Sequence, residues 1–186
     1  MHPDISAIIL AAGKGKRFGE PKAFAKIDNM SFLDLSISKL CSLNIAEILV
    51  VVKEKINLNF NNIKQVINIR HNAPMLSSIY EGIKNSDMKT SGYMIYPVDY
   101  PYIGKDTLER LINAYSRNTD KVIMPIYQGM SGHPVIIPAS LADKIDNVGL
   151  EGGLGALIKN SHFEVKYVEV HDEGILKNIN YKSDLK

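Results

Sequence analysis

The chain has 186 residues, of which 45% are hydrophobic and 23% are charged, and its formal net charge is +2. This size and composition fit one soluble globular domain over residues 1–186, and the small net charge gives no support for a nucleic-acid or membrane partner. The single cysteine, Cys41, excludes an internal disulfide, and together with the expected lack of a signal peptide it indicates a cytoplasmic protein.

The predicted elements alternate in type along the chain. Apolar runs predict strands at residues 7–10, 45–52, 65–69, 93–98, 122–126, 133–138 and 163–170. Helical periodicity predicts helices at residues 31–42, from 74 onward, at 105–118, at 140–146 and after a glycine-rich stretch at 149–155. Alternating strands and helices predict an α/β fold: a Rossmann-like three-layer sandwich with a mostly parallel sheet and helices on both faces.

A loop rich in glycine and basic residues follows the first strand. It carries three glycines and four cations at 13–22. Glycine lets a backbone approach a ligand closely, and loop amides after a strand bind anions, so a polyphosphate is the expected ligand. An ordinary surface turn is the alternative. The spacing fits neither the dinucleotide fingerprint, which needs glycine at Phe18, nor the P-loop, which needs lysine at Gly19.

One motif in this loop resembles the signature of a known enzyme group: Leu10-Ala11-Ala12-Gly13-x-Gly15-x-Arg17-x-Gly19-x-x-Lys22. The group comprises nucleotidyltransferases of the glycosyltransferase-A, or nucleotide-diphospho-sugar transferase, fold. The motif is most similar to the branch of molybdenum cofactor cytidylyltransferases and guanylyltransferases. The resemblance implies a Mg²⁺-dependent transfer of a nucleoside monophosphate from an NTP to a phosphorylated acceptor, with release of pyrophosphate. It also implies molybdopterin as the acceptor and a molybdoenzyme or chaperone as a protein partner.

The resemblance further implies a set of site residues. Nucleotide binding falls to Leu10, Ala11, Ala12, Gly13, Lys14, Gly15, Arg17, Lys22, Asn72, Ser78 and Asp99. Arg17, Lys22 and Asp99 are the catalytic candidates, with Arg17 on the β- and γ-phosphates and Lys22 near the α-phosphate. Asp99 leaves the carboxyl end of a predicted central strand, where open α/β sheets bind ligands, and is expected to hold the magnesium.

The expected acceptor side comprises Tyr100, His133 and Gly152. Asn180 is the candidate for a second metal ligand, through water, because a neutral amide binds magnesium less well than a carboxylate. Structural alternatives exist for these residues: a strand-end turn for Asp99, a strand-start hydrogen bond for His133 and a flexible turn at Gly152.

The choice of base rests on two opposing features. Ala12 is similar to the cytidylyl branch, whereas the tail with Asn178 and Asn180 is similar to the guanylyl branch. We give more weight to Ala12 and expect CTP, with guanylylation as the alternative. Tyr100, which replaces the family's usual glutamine, leaves open a sugar, polyol or choline phosphate as acceptor. Asn180 in place of a carboxylate leaves open a nucleotide-binding regulatory or chaperone-like protein without turnover.

Overall fold

An eight-stranded sheet lies at the centre of the computed structural model, which describes residues 4–43, 45–70, 74–145 and 153–185. The strands are β1 (Ile5–Leu10), β2 (Lys26–Ile27), β3 (Met30–Ser31), β4 (Glu47–Val52), β5 (Ile63–Ile67), β6 (Gly92–Pro97), β7 (Val122–Tyr127), β8 (Met130–Ser131), β9 (Val135–Pro138) and β10 (Val165–Glu169). The helices are α1 (Phe32–Cys41), α2 (Met75–Lys84), α3 (Lys105–Ser116), α4 (Ala139–Ala142) and α5 (Gly153–Asn160). Short 3₁₀ turns occupy Lys22–Phe24, Glu173–Ile175 and Lys182–Asp184.

The sheet is mostly parallel. Its order is β10-β7-β9-β6-β1-β4-β5, with β8 paired to β7, while β2 and β3 form a separate hairpin. Strand β1 lies between β4 and β6 and runs parallel to both, and β4 is parallel to β5. Strand β9 is antiparallel to β6 and β7. The carboxyl ends of β1, β4, β5 and β6 therefore meet at one edge of the sheet, where the loops that follow them can form a site.

Two apolar cores cover the two faces of the sheet. Alternate residues of β1 supply both: Ile9 packs in the core beneath α1 and α3, and Ile8 packs in the core beneath α2 and α5. All six residues of β1 are buried, as expected for a central parallel strand. The predicted three-layer sandwich is thus confirmed.

Several predicted boundaries are corrected by the structure. The strand expected at 65–69 lies at Ile63–Ile67, so the two residues after it belong to a loop. The strand expected from 133 begins at Val135, because Pro134 has no N–H to donate to the sheet. The last strand is shorter than expected, at Val165–Glu169. Residues 146–152, with the predicted end of one helix and most of the second glycine-rich stretch, lie outside the described residues.

Among the described residues, no helix combines the length and the apolar character that crossing a bilayer requires.

Candidate active site

The glycine-rich loop after β1 forms a tight turn. The backbone N–H groups of Phe18 and Gly19 both donate to the Gly15 carbonyl oxygen at 2.9 Å. Gly15 has φ +58°, and a Cβ atom there would lie 1.7 Å from the carbonyl oxygen of Glu20. The turn therefore requires glycine at this position. A Cβ atom at Gly13 would meet nothing within 4 Å, so the space beside Gly13 is open to a ligand.

A cavity of about 550 Å³ opens beside this loop. Five of its lining residues are cationic: Lys14, Lys16, Arg17, Lys22 and Lys53. Among the described residues that line it, Asp99 carries the one carboxylate. The other lining residues are mostly apolar, and Ser78 adds a hydroxyl. A lining that combines several cations with apolar residues suits a ligand that combines a polyphosphate with an organic group.

Lys22 connects three parts of the chain at this cavity. Its Nζ atom donates to Asp99 Oδ2 and to Asn180 Oδ1, each at 3.0 Å, and lies 3.5 Å from Asn178 Oδ1. The side chains of Lys22 and Asp99 are only 15% and 23% exposed. Arg17 also donates to Asn180 Oδ1, at 3.3 Å. The loop, the end of β6 and the C-terminal tail thus share one hydrogen-bonded cluster.

Backbone contacts fix the tail in this position. The N–H of Ile179, a buried residue, donates to the backbone carbonyl of Asp99 at 2.9 Å. The Asp184 carboxylate accepts from the backbone N–H groups of Tyr181 and Asn180, both at 2.8 Å. These two hydrogen bonds hold the pKa of Asp184 below its usual range. Both asparagine side chains of the tail are therefore held beside Asp99.

Tyr100 and His133 form a second group next to Asp99. Their ring centroids lie 4.9 Å apart at an interplanar angle of 58°, and Asn178 Nδ2 donates to the Tyr100 hydroxyl at 3.5 Å. Burial lowers the pKa of His133, with a smaller opposing effect from Asp99, so the imidazole is neutral near pH 7. Its Nδ1 atom is buried and has no hydrogen-bond partner within the described ranges. The peptide between His133 and Pro134 is cis.

The structure brings most of the predicted nucleotide-binding residues together. Those that line the cavity are Leu10, Ala12, Gly13, Lys14, Gly15, Arg17, Lys22, Ser78 and Asp99. Ala11 lines a neighbouring cavity, and Asn72 and Gly152 lie outside the described residues. The predicted second metal ligand, Asn180, lies at the same cluster through its contacts with Lys22 and Arg17.

Sequence reasoning missed two residues that organise the site. Asn68 is 1% exposed, and its Nδ2 atom donates to the hydroxyls of Ser77 and Ser78 at 3.0 and 2.9 Å. Lys53 donates to the backbone carbonyls of Asn68 and Arg70 at 3.1 and 2.6 Å. Each follows the last residue of a parallel strand, Lys53 after β4 and Asn68 after β5. A polar residue directly after a parallel strand was the sequence signal that could have identified both residues. For Asn68 this signal was hidden, because the strand that ends at Ile67 was predicted to continue to residue 69.

The residues at this cavity fit a divalent metal that arrives with a phosphate ligand. Among the described residues, no group of three or more His, Cys, Asp and Glu side chains is placed to hold a metal ion. Hard cations such as Mg²⁺ prefer oxygen ligands and often take only one or two carboxylates together with phosphate oxygens. Asp99 supplies one carboxylate, and the Asn180 oxygen lies beside the same ammonium group.

Open α/β sheets bind phosphorylated ligands at the carboxyl ends of their strands. The fold and the position of the cavity in this protein are those of a nucleotide-binding α/β domain. The chain belongs to the family of MobA-like NTP transferase domains, whose model matches residues 7–166. The predicted nucleotidyltransferase family is thereby confirmed.

Two curated relatives carry related names. The chain is 30% identical over 130 residues to a probable molybdenum cofactor guanylyltransferase of Bacillus cereus (strain Q1), a match that covers 67% of this chain and 62% of that relative. It is 26% identical over 197 residues to a molybdenum cofactor guanylyltransferase of Campylobacter jejuni subsp. doylei, with 98% of each chain covered.

Solved structures show the same fold. Rv0371c of Mycobacterium tuberculosis H37Rv superposes with a TM-score of 0.85 at 15% identity, covering 99% of this chain and 96% of that one. A structure of the same protein described as a complex with manganese gives a TM-score of 0.72 at 16% identity, with 91% and 89% covered.

Proposed function

We propose that this protein transfers a nucleoside monophosphate from an NTP, bound with a divalent metal ion, to a phosphorylated acceptor. The observation that carries the proposal is the cavity at the glycine-rich loop, whose described lining residues include five cations and one carboxylate, that of Asp99. Such a cavity suits a triphosphate and a single metal ion. The names of the curated relatives favour GTP as donor and molybdopterin as acceptor. The CTP expected from Ala12 is the alternative donor.

The reaction requires a neutralised triphosphate and an in-line acceptor oxygen. Loop amides from Ala12 to Gly15, with Arg17, bind the β- and γ-phosphates, and Lys22 stabilises charge on the α-phosphate. An oxygen of the acceptor phosphate forms a bond to the α-phosphorus, and the bond from that phosphorus to the oxygen bridging to the β-phosphorus breaks. Pyrophosphate leaves with the electron pair. A phosphate monoester already carries an anionic oxygen, so no strong general base is needed.

Asp99, with Asn180 through water, would hold the metal ion. When bound, a divalent cation neutralises phosphate oxygens and stabilises the departing pyrophosphate. The neighbouring structure described as a manganese complex supports a divalent metal in this fold, and Mg²⁺ is our proposed ion. Lys22 contacts the same carboxylate at 3.0 Å, and in this proposal its charge acts on the α-phosphate.

Tyr100 and His133 form the acceptor side in this proposal. They adjoin Asp99, and their ring centroids lie 4.9 Å apart. The molybdoenzyme or chaperone partner and the cytoplasmic location stay predictions.

The test is pyrophosphate release from GTP, CTP, ATP and UTP, each with Mg²⁺ and molybdopterin. We expect release with GTP and its loss in Asp99→Asn, while the control Asp120→Asn, in an exposed turn, keeps it. Release with CTP instead would restore the expectation from Ala12. A sugar, polyol or choline phosphate screen then tests the alternative acceptors. Nucleotide binding without release in any combination would overturn the enzymatic proposal and favour a regulatory or chaperone-like role.

A further inference from the structure

A second cavity, of about 460 Å³, adjoins the first at the glycine-rich loop, and the reaction proposed above gives it no role. The two cavities share the lining residues Ala12, Gly13, Lys14 and Lys53. We propose that the second cavity binds a flat ring through its 2-amino-4-oxopyrimidine edge, and that Glu54 recognises this edge. The inference rests on the proposed function, because that edge belongs to guanine and also to a pterin.

The walls of this cavity suit the faces of a flat ring. They are mainly apolar and include Phe24, Ile56 and Ile69. Phe24 is 46% exposed and Ile69 is 77% exposed, although both are large hydrophobic residues. A planar heterocycle placed against them would remove apolar surface from water and could stack on the Phe24 ring. A ligand of this shape thus covers a surface that the described chain leaves open.

Glu54 is the one acidic residue among the described residues that line this cavity. It is exposed and makes no ion pair among the described residues. The neighbouring cation, Lys53, donates instead to the backbone carbonyls of Asn68 and Arg70, at 3.1 and 2.6 Å. The Glu54 carboxylate therefore remains able to accept two hydrogen bonds from a ligand.

The donor pattern of the ligand decides which ring fits. Guanine presents two adjacent donors on its Watson–Crick edge, the N1–H and the 2-amino group, and one carboxylate can accept from both. Cytosine and adenine each present one acceptor beside one amino donor, and uracil presents a single N–H between two carbonyl oxygens. A polar site discriminates strongly against an analogue that leaves its groups unpaired. Where the ring in this cavity is the nucleobase, Glu54 thus selects GTP over CTP, against the choice that Ala12 suggests.

The experiment measures binding of nucleoside monophosphates by titration calorimetry, so that catalysis is not required. The probes are GMP, IMP, which lacks the 2-amino group, and CMP. Wild-type protein should bind GMP about tenfold more tightly than IMP, the effect of one lost hydrogen bond to a charged group. Glu54→Gln should weaken GMP binding by at least about tenfold, shrink the difference between GMP and IMP, and leave CMP binding unchanged. The control Glu169→Gln, exposed on edge strand β10, should change nothing.

A free pterin, added as a further probe, shows whether the ring that Glu54 recognises is the nucleobase or the acceptor. If Glu54→Gln weakens GMP and not pterin, the cavity holds the nucleobase; if it weakens pterin and not GMP, the cavity holds the acceptor ring. Equal binding of GMP and pterin by Glu54→Gln and wild type would overturn the inference. If ligand binding depends on Glu54 but no pyrophosphate is released, only the proposed function is refuted. If pyrophosphate is released from GTP and Glu54→Gln changes neither binding nor release, only this inference is refuted.

Discussion

The substitution Gly15→Ala tests the geometry of the loop on which the site depends. Gly15 has φ +58°, where alanine is less favourable than glycine by about 1 kcal/mol or more. The added Cβ atom would also lie 1.7 Å from the Glu20 carbonyl oxygen, a backbone atom that can yield only if the turn opens. Together these effects should lower the free energy of unfolding by about 2–4 kcal/mol, within the range of strain mutations.

Gly13→Ala is the matched control, in the same loop and with the same added methyl group. A Cβ atom at Gly13 meets nothing within 4 Å, so its stability should stay within about 0.5 kcal/mol of wild type. Its methyl group should nevertheless weaken NTP binding, because it enters the space that the ligand needs. Urea unfolding and nucleotide titration measure the two effects. If Gly15→Ala were as stable as wild type, the turn would not require glycine at this position. If Gly13→Ala bound NTP with wild-type affinity, the ligand would not approach the backbone of Gly13 closely.

Four further changes have expected outcomes. Lys22→Met should slow pyrophosphate release by about 10²–10³-fold, with a smaller effect on KM, and a change in nucleotide affinity alone would contradict its role at the α-phosphate. Asp99→Asn should abolish metal-dependent release while circular dichroism stays unchanged, and wild-type activity would remove the metal assignment. Asn68→Ala should lower the free energy of unfolding by about 1–3 kcal/mol in urea titration, since buried polar groups lose their partners; no change would show that its hydrogen bonds are not needed. Burial lowers the pKa of His133 in the folded protein. The contribution of the neutral imidazole to the free energy of unfolding is therefore complete above the pKa of the unfolded state, about 6.5, and is lost as the pH falls below that value. His133→Phe should flatten that pH dependence of the urea midpoint, and an unchanged profile would contradict this sign.

The fold was predictable because its strands are nearly continuous apolar runs. Residues 45–52 show such a run, and the structure buries five of the six residues of β4 within it. The helix predicted at residues 31–42 begins where the sequence indicated: Ser31 precedes α1, and its hydroxyl accepts from the Asp34 N–H at 3.0 Å. The antiparallel direction of β9 was not predictable, because pairing direction depends on a distant strand and leaves no local pattern.

The site was predictable where one local motif holds its residues. The predicted loop residues Gly13, Lys14, Gly15, Arg17 and Lys22 are close in sequence, and the structure places them around one cavity. The contact of Lys22 with Asn180 joins residues 158 positions apart, and spacing alone could not show it. Asn68 escaped notice because a buried asparagine has no sequence pattern of its own. Glu54 lies in a polar stretch without periodicity, and only the cavity beside it suggests a role.

Label transfer from GTP tests the central claim most directly. GTP labelled with ³²P at the α-phosphate is incubated with molybdopterin, Mg²⁺ and the protein, and the products are separated. The proposed reaction predicts that the label becomes covalently attached to the acceptor and that the released pyrophosphate carries none. Release of labelled GMP without acceptor labelling, or recovery of intact GTP, would contradict nucleotidyl transfer to molybdopterin by this protein.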